Sequence, residues 1–155
     1  MPPLVKSMDT SAEVRDRAVA TIYRTLKLVF GLVPIVAGLD KFTNILVHWD
    51  RYLAPAFAKV IPMKPSSFMD VVGIIEIVAV IGVLLTPWTR VFAWIVGLWL
   101  IGIALDLVLA GYYDIAVRDV VMAISSFCLA RLSAVAPARV AATDAALRNA
   151  QARST

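Results

Sequence analysis

Of the chain's 155 residues, 61% are hydrophobic and only 17% charged, with a mean hydropathy of +0.83; soluble domains run near roughly 45–50% and 25%. This is the composition of an integral membrane protein, and at roughly 20 residues per crossing it allows four spans and no large soluble domain. The net charge of +4 reads as a topology signal rather than a nucleic-acid footprint, and one cysteine with one histidine exclude an internal disulfide, a thiol relay, a bis-histidine haem and a Cys/His metal cluster.

Residues 1–20 are polar and mostly small, and Thr10-Ser11-Ala12-Glu13 fits a capping box that would start a helix there. The first predicted span is 21–39. Arg24, Lys27, Gly31, Pro34, Gly38 and Lys41 recur at steps of three and four, which places them on one helical face. The glycines on that face admit a close neighbour, Pro34 is a potential kink, and Arg24 and Lys27 are placed to snorkel to headgroups. The basic lead, the apolar core and Val36-Ala37-Gly38 also have the form of a signal peptide; the expectation is an uncleaved span.

Residues 40–67 form a connector. Ile45, Leu46, Trp49, Tyr52, Leu53, Phe57, Val60 and Ile61 repeat near a 3.6 period, predicting an amphipathic segment in the membrane interface, broken at Ala54-Pro55. Trp49 and Tyr52 suit the headgroup belt, and His48, without a second ligand, reads as an interfacial residue. Pro62 and Pro65 end the segment, with Ser66 or Ser67 as caps for the next helix.

The second span, 68–85, has Asp70 at its mouth and Glu76 near its centre, with Gly73 on the same face. A central charge costs about 3 kcal/mol on insertion scales, so Glu76 is expected to face the interior and find a partner. Thr86 to Arg90 is a tight turn with an interfacial Trp88. The third span, 91–110, carries Asp106, with Gly102 and Trp99 four and seven residues before it and therefore on its face. The fourth, 115–134, opens with Arg118 and Asp119 and holds Ser125, Ser126 and Cys128 as small contact positions. Residues 137–155 are Ala-rich and read as a short amphiphilic helix or a loose tail. The whole chain, 1–155, is one all-α membrane domain, an up-and-down four-helix transmembrane bundle with tails at 1–20 and 135–155.

With four spans both termini share one side, which holds ten basic residues against five on the other, so the tails are expected in the cytoplasm and the connector outside. Glu76 then lies roughly 12 Å, and Asp106 roughly 7 Å, from the outer end of its span. Lys41, Asp70, Arg118 and Asp119 lie near the same boundary, so six ionisable residues are expected to converge on the outer half. Two readings stay open. Either Glu76 and Asp106 pair with Lys41 and Arg118 to hold the helices in register, or the six line a polar pocket in which Glu76 gives or takes protons and a quinone head group is a plausible occupant.

Gly38-Leu39-Asp40-Lys41-Phe42, Glu76 followed by Gly82, and the Thr89-Arg90 turn before a small-residue third span resemble the DoxX-like family of small four-span membrane proteins. The similarity covers about residues 20–134. That family includes membrane subunits associated with thiosulfate:quinone oxidoreduction, methylamine utilisation and oxidative-stress complexes, and its eukaryotic relatives look like assembly chaperones. The resemblance implies roles for Lys41 and Glu76, and matches Arg118 and Asp119 to the polar start of the family's fourth helix.

The resulting expectation is an accessory or anchoring subunit of a respiratory or redox complex in a bacterial cytoplasmic membrane. Its partners would be the lipid bilayer and other membrane subunits, with no nucleic acid. It would have no catalytic residues and no metal or intrinsic cofactor, and would help form a quinone or lipid pocket. An assembly factor is the alternative, and a small proton-coupled transporter a further one.

Overall fold

Long apolar runs broken by Pro, Gly and short polar turns give an all-helical structure. The computed structural model describes residues 3–152, with side chains from Ser11 onward except those of 142, 146, 147 and 150. In order come α1 (Pro3–Thr43), a 3-10 turn (Trp49–Tyr52), α2 (Pro55–Val60), α3 (Pro65–Leu85), α4 (Thr89–Ala110), α5 (Tyr113–Leu132) and α6 (Ala136–Ala152). Three segments are long and apolar enough to cross a membrane: Ser11–Thr43, Pro65–Leu85 and Thr89–Ala110. By the same measure α5 qualifies only together with Ala136–Ala145 of α6, from which it is bent by 67°. The reason is visible in its ends, where Asp114, Arg118, Asp119 and Arg131 dilute the apolar centre.

Several boundaries depart from expectation. α1 starts at Pro3, so Thr10 lies inside the helix and no capping box begins it there. α1 also runs uninterrupted through Pro34, whose missing N–H leaves the Phe30 carbonyl without its usual donor. Pro65 does not end the connector; it opens α3 at the first helical position, where its lost N–H costs nothing, and neither Ser66 nor Ser67 is the cap. The C-terminal tail is a helix docked on α1, and Arg24, expected at the headgroups, pairs with Asp144 at 2.5 Å, as Arg139 does with Asp16. The side chain of Lys6 and all of Arg153, two of the ten basic residues counted on the tail side, lie outside the described residues.

α3 packs on α1, α4 on α3, α5 on α4, and α5 returns to α1. The main core gathers Tyr23 and Phe30 from α1, Val83 from α3, Val96 from α4 and Leu129 from α5. A smaller cluster of Ala104, Leu107 and Ala116 lies where Tyr52 and Tyr112 meet. Gly111, with φ 86, ends α4 in the left-handed conformation that favours glycine, and Tyr112 N–H then donates to Leu107 O at 2.8 Å. Small polar groups close the helix contacts: the buried Ser126 hydroxyl donates to Ala93 O at 2.8 Å, and Thr89 donates to Val83 O at 3.0 Å. Cys128, expected as a packing residue, is exposed.

The outer faces are apolar. Leu32, Val36, Val78, Leu98, Leu105 and Ile124 all stand exposed, apolar exposure of the kind that marks contact with lipid or another protein.

Candidate functional site

The site begins with a close approach of two helices. Gly31 faces Leu84 and Gly38 faces Gly73, so α1 and α3 run antiparallel. A Cβ on Gly73 would lie 2.8 Å from the Gly38 carbonyl oxygen, and one on Gly38 would lie 3.1 Å from that of Gly73. Only glycine permits backbones at this distance. Side chains of a helix lean toward its own N-terminus. Lys41, three residues beyond Gly38, therefore leans back toward the crossing, and Glu76, three beyond Gly73, does the same from the opposite direction.

They meet at the crossing, with Lys41 Nζ 2.8 Å from Glu76 Oε2, and their side chains are 4% and 13% exposed. The ammonium also lies 3.8 Å from the centroid of the Trp49 ring. Lys41 is thus enclosed between a carboxylate and the face of an indole, two environments that stabilise a desolvated cation.

The other four expected residues divide. Asp119 is buried on α5, within electrostatic reach of both Lys41 and Glu76. Its ion pair is with Arg118, Nε to Oδ1 3.3 Å, and the Arg118 side chain is mostly exposed. Lys41, Glu76, Asp119 and Arg118 form a formally neutral set with one end at the surface. Asp70 shares a cleft of about 120 Å³ with Lys41, His48, Asp50 and Ser66. Asp106 stands apart: its Oδ1 accepts the Ala54 N–H at 3.0 Å and it makes no ion pair among the described residues. The expected pairing of Asp106 with Lys41 or Arg118 does not occur, because the connector's backbone reaches the carboxylate first. Nor does the α4 face repeat the α3 pattern. Gly102 looks into open space, while the buried Trp99 Nε1 has no acceptor among the described residues.

Asp40, the first residue of the connector, organises it. Its Oδ1 accepts the N–H groups of Ile45 and Leu46 at 3.0 and 2.8 Å, and its Oδ2 accepts Val47 N–H at 3.1 Å and Trp49 Nε1–H at 2.8 Å. Asn44, with φ 51, supplies the left-handed turn that brings the chain back over the helix end, its N–H donating to Asp40 O at 2.6 Å. A signal existed: an acid in the last turn of a helix opposes the macrodipole and therefore requires donors of its own. By fixing Trp49, Asp40 also positions the ring over Lys41.

The connector breaks at Ala54-Pro55 as expected, but the half before the break is not a helical face. Residues 44–48 wrap round Asp40, the 3-10 turn follows, and α2 begins after the break at Ala54-Pro55. Asp40 holds its first half and Asp106 its second, with Tyr112 OH donating to Arg51 O at 3.3 Å between them.

Chemically, the enclosed pair can hold helix register, and Lys41 links the buried Glu76 to the polar cleft at Asp70. Among the described residues no group of three or more His, Cys, Asp or Glu side chains is placed to hold a metal ion. No family model, curated protein or solved structure matches the chain.

Proposed function

We propose that the chain is a four-span integral membrane protein, resembling the DoxX-like proteins, that serves as an accessory or anchoring subunit of a membrane-bound redox complex. α1, α3, α4 and α5 are the spans in this reading, with the tails cytoplasmic and the connector at the outer interface of a bacterial cytoplasmic membrane. The apolar outer faces, and the aromatic residues at both ends of the helices, Trp88 at one and Trp49, Tyr112 and Tyr113 at the other, support that placement.

One observation carries the role of a subunit. Lys41 of the Lys41–Glu76 pair borders a polar cleft of only about 120 Å³, whereas pockets that enclose a small molecule run to roughly 300–1,000 Å³. A quinone or lipid head group at Asp70 and Lys41 therefore needs a wall from a second protein. Extraction in mild detergent, followed by mass spectrometry of all co-purifying protein and small molecules, tests it. The expected result is a stoichiometric partner carrying haem, flavin or iron–sulfur; repeated recovery as a lone homo-oligomer would reject it.

The enclosure of Lys41 favours a second reading. Satisfied by both Glu76 and Trp49, the pair is equally suited to setting helix register in a membrane-protein assembly factor. Deletion would then lower the yield of a client complex and leave the turnover of the assembled fraction unchanged.

A further inference from the structure

A second concavity lies along the connector and shares Asn44 and His48 with the cleft at Lys41 and Asp70. It is an open groove of about 320 Å³ walled by residues 44–48 with Arg51 and Tyr52. Its backbone is already fixed: Asp40 takes the N–H groups of residues 45–47, and Asn44 Oδ1 accepts the Trp49 N–H at 3.4 Å. Recognition therefore falls to side chains. The guanidinium of Arg51 makes no ion pair among the described residues. Beside it on the same wall Ile45 and Leu46 are 80% and 67% exposed, held outward by the same Asp40 bonds.

We propose that this groove binds the head group of an anionic phospholipid, with Arg51 on the phosphate and Ile45 and Leu46 against the upper acyl chains. A free anion would use the guanidinium but leave the two outward apolar side chains without a role; one lipid molecule satisfies both. Charge complementarity extends past the groove. Residues 44–64 carry Arg51, Lys59 and Lys64 against the single acid Asp50, and expose Phe57, Val60 and Met63, the combination by which interfacial segments hold anionic membranes. The inference rests on the membrane placement proposed above and is independent of any redox role.

The test uses the full chain reconstituted into nanodiscs of phosphatidylglycerol and phosphatidylcholine in equal amounts, with the lipids retained on release read by native mass spectrometry. Retention of phosphatidylglycerol is expected over phosphatidylcholine by roughly fivefold, the effect of one basic residue near an anionic surface, and Arg51→Gln is expected to abolish it. The variant should fold, because Tyr112 is bonded to the Arg51 carbonyl and the described contacts give its guanidinium no structural bond; an unchanged tryptophan-fluorescence melt checks this. Equal retention of the two lipids, or an undiminished preference in Arg51→Gln, would overturn the proposal and leave the membrane placement standing. Displacement of the lipid by excess inorganic phosphate would overturn the lipid assignment in favour of a free anion. Failure of the chain to enter nanodiscs would overturn both readings.

Discussion

Lys41→Met keeps most of the side chain's volume and removes its charge, which isolates what the buried pair contributes. Glu76 is then left 13% exposed, without its cation and with the Asp119 carboxylate in electrostatic reach. Removing one partner of a buried pair typically costs about 3–5 kcal/mol. Glu76 has an escape, since it can bind a proton. For a glutamate of ordinary pKa that costs roughly 3.7 kcal/mol at pH 7, so the penalty has a ceiling near that figure. Loss of the cation from the Trp49 face adds about 0.5–2 kcal/mol. The expected total is roughly 4 kcal/mol, or about 8–16 °C in melting temperature for a chain of this size. Tryptophan fluorescence during a thermal melt in mild detergent reads it directly. The double variant Lys41→Met/Glu76→Leu leaves no charge at the crossing and should recover most of the loss, since apolar replacement of a whole buried pair is often neutral. A single variant melting within about 2 °C of the parent, below the smallest shift expected from 1 kcal/mol, would refute the reasoning. So would a double variant no more stable than the single.

Gly73→Ala should destabilise by about 1–3 kcal/mol, because its Cβ would meet the Gly38 backbone oxygen, which cannot move aside. Gly102→Ala should be neutral or stabilise by up to about 1 kcal/mol through helix propensity, since nothing lies near its Cβ; thermal melts compare the two. Asp40→Ala should raise amide hydrogen exchange at residues 45–47 by at least about tenfold, the loss of roughly one charge-assisted hydrogen bond, while the amides of α4 keep their protection. Ser126→Ala, which removes one bond between α5 and α4, should cost only about 0.6 kcal/mol and shift the melt by a degree or two.

How far the sequence is legible depends on how local the cause is. The stripe of Gly31, Gly38 and Lys41 was readable because a helix's period alone decides which residues share a face, and the structure places all three against α3. Gly73 and Glu76 were readable for the same reason. Applied to α4, the same reasoning put Gly102 and Asp106 on one interior face, yet Gly102 meets open space and Asp106 meets a backbone N–H 52 residues away. Periodicity orders residues around one helix; it does not say which neighbour covers each side.

The connector shows the same limit. Its apolar period suggested an amphipathic segment broken at Ala54-Pro55, and the break is there, but over 45–49 Asp40 offers four hydrogen bonds that a helix would forgo, and a buried carboxylate left without donors is costly. The bonds to Asp40 prevail over the local propensity.

Composition and hydropathy by themselves determined that the chain is apolar enough for membrane crossings, which depends on the free energy of transferring each residue in turn, and helical, because an apolar span satisfies its backbone hydrogen bonds within itself. That Gly38 shares a face with Lys41, and Gly73 with Glu76, followed from the helical period alone; that the two faces cross did not. Only the tertiary structure decided that Lys41 belongs to Glu76 and Trp49, that Asp106 serves the connector, and that Arg118 faces outward. A charge takes the partner that desolvation leaves within reach, and that partner is set by how separate helices pack.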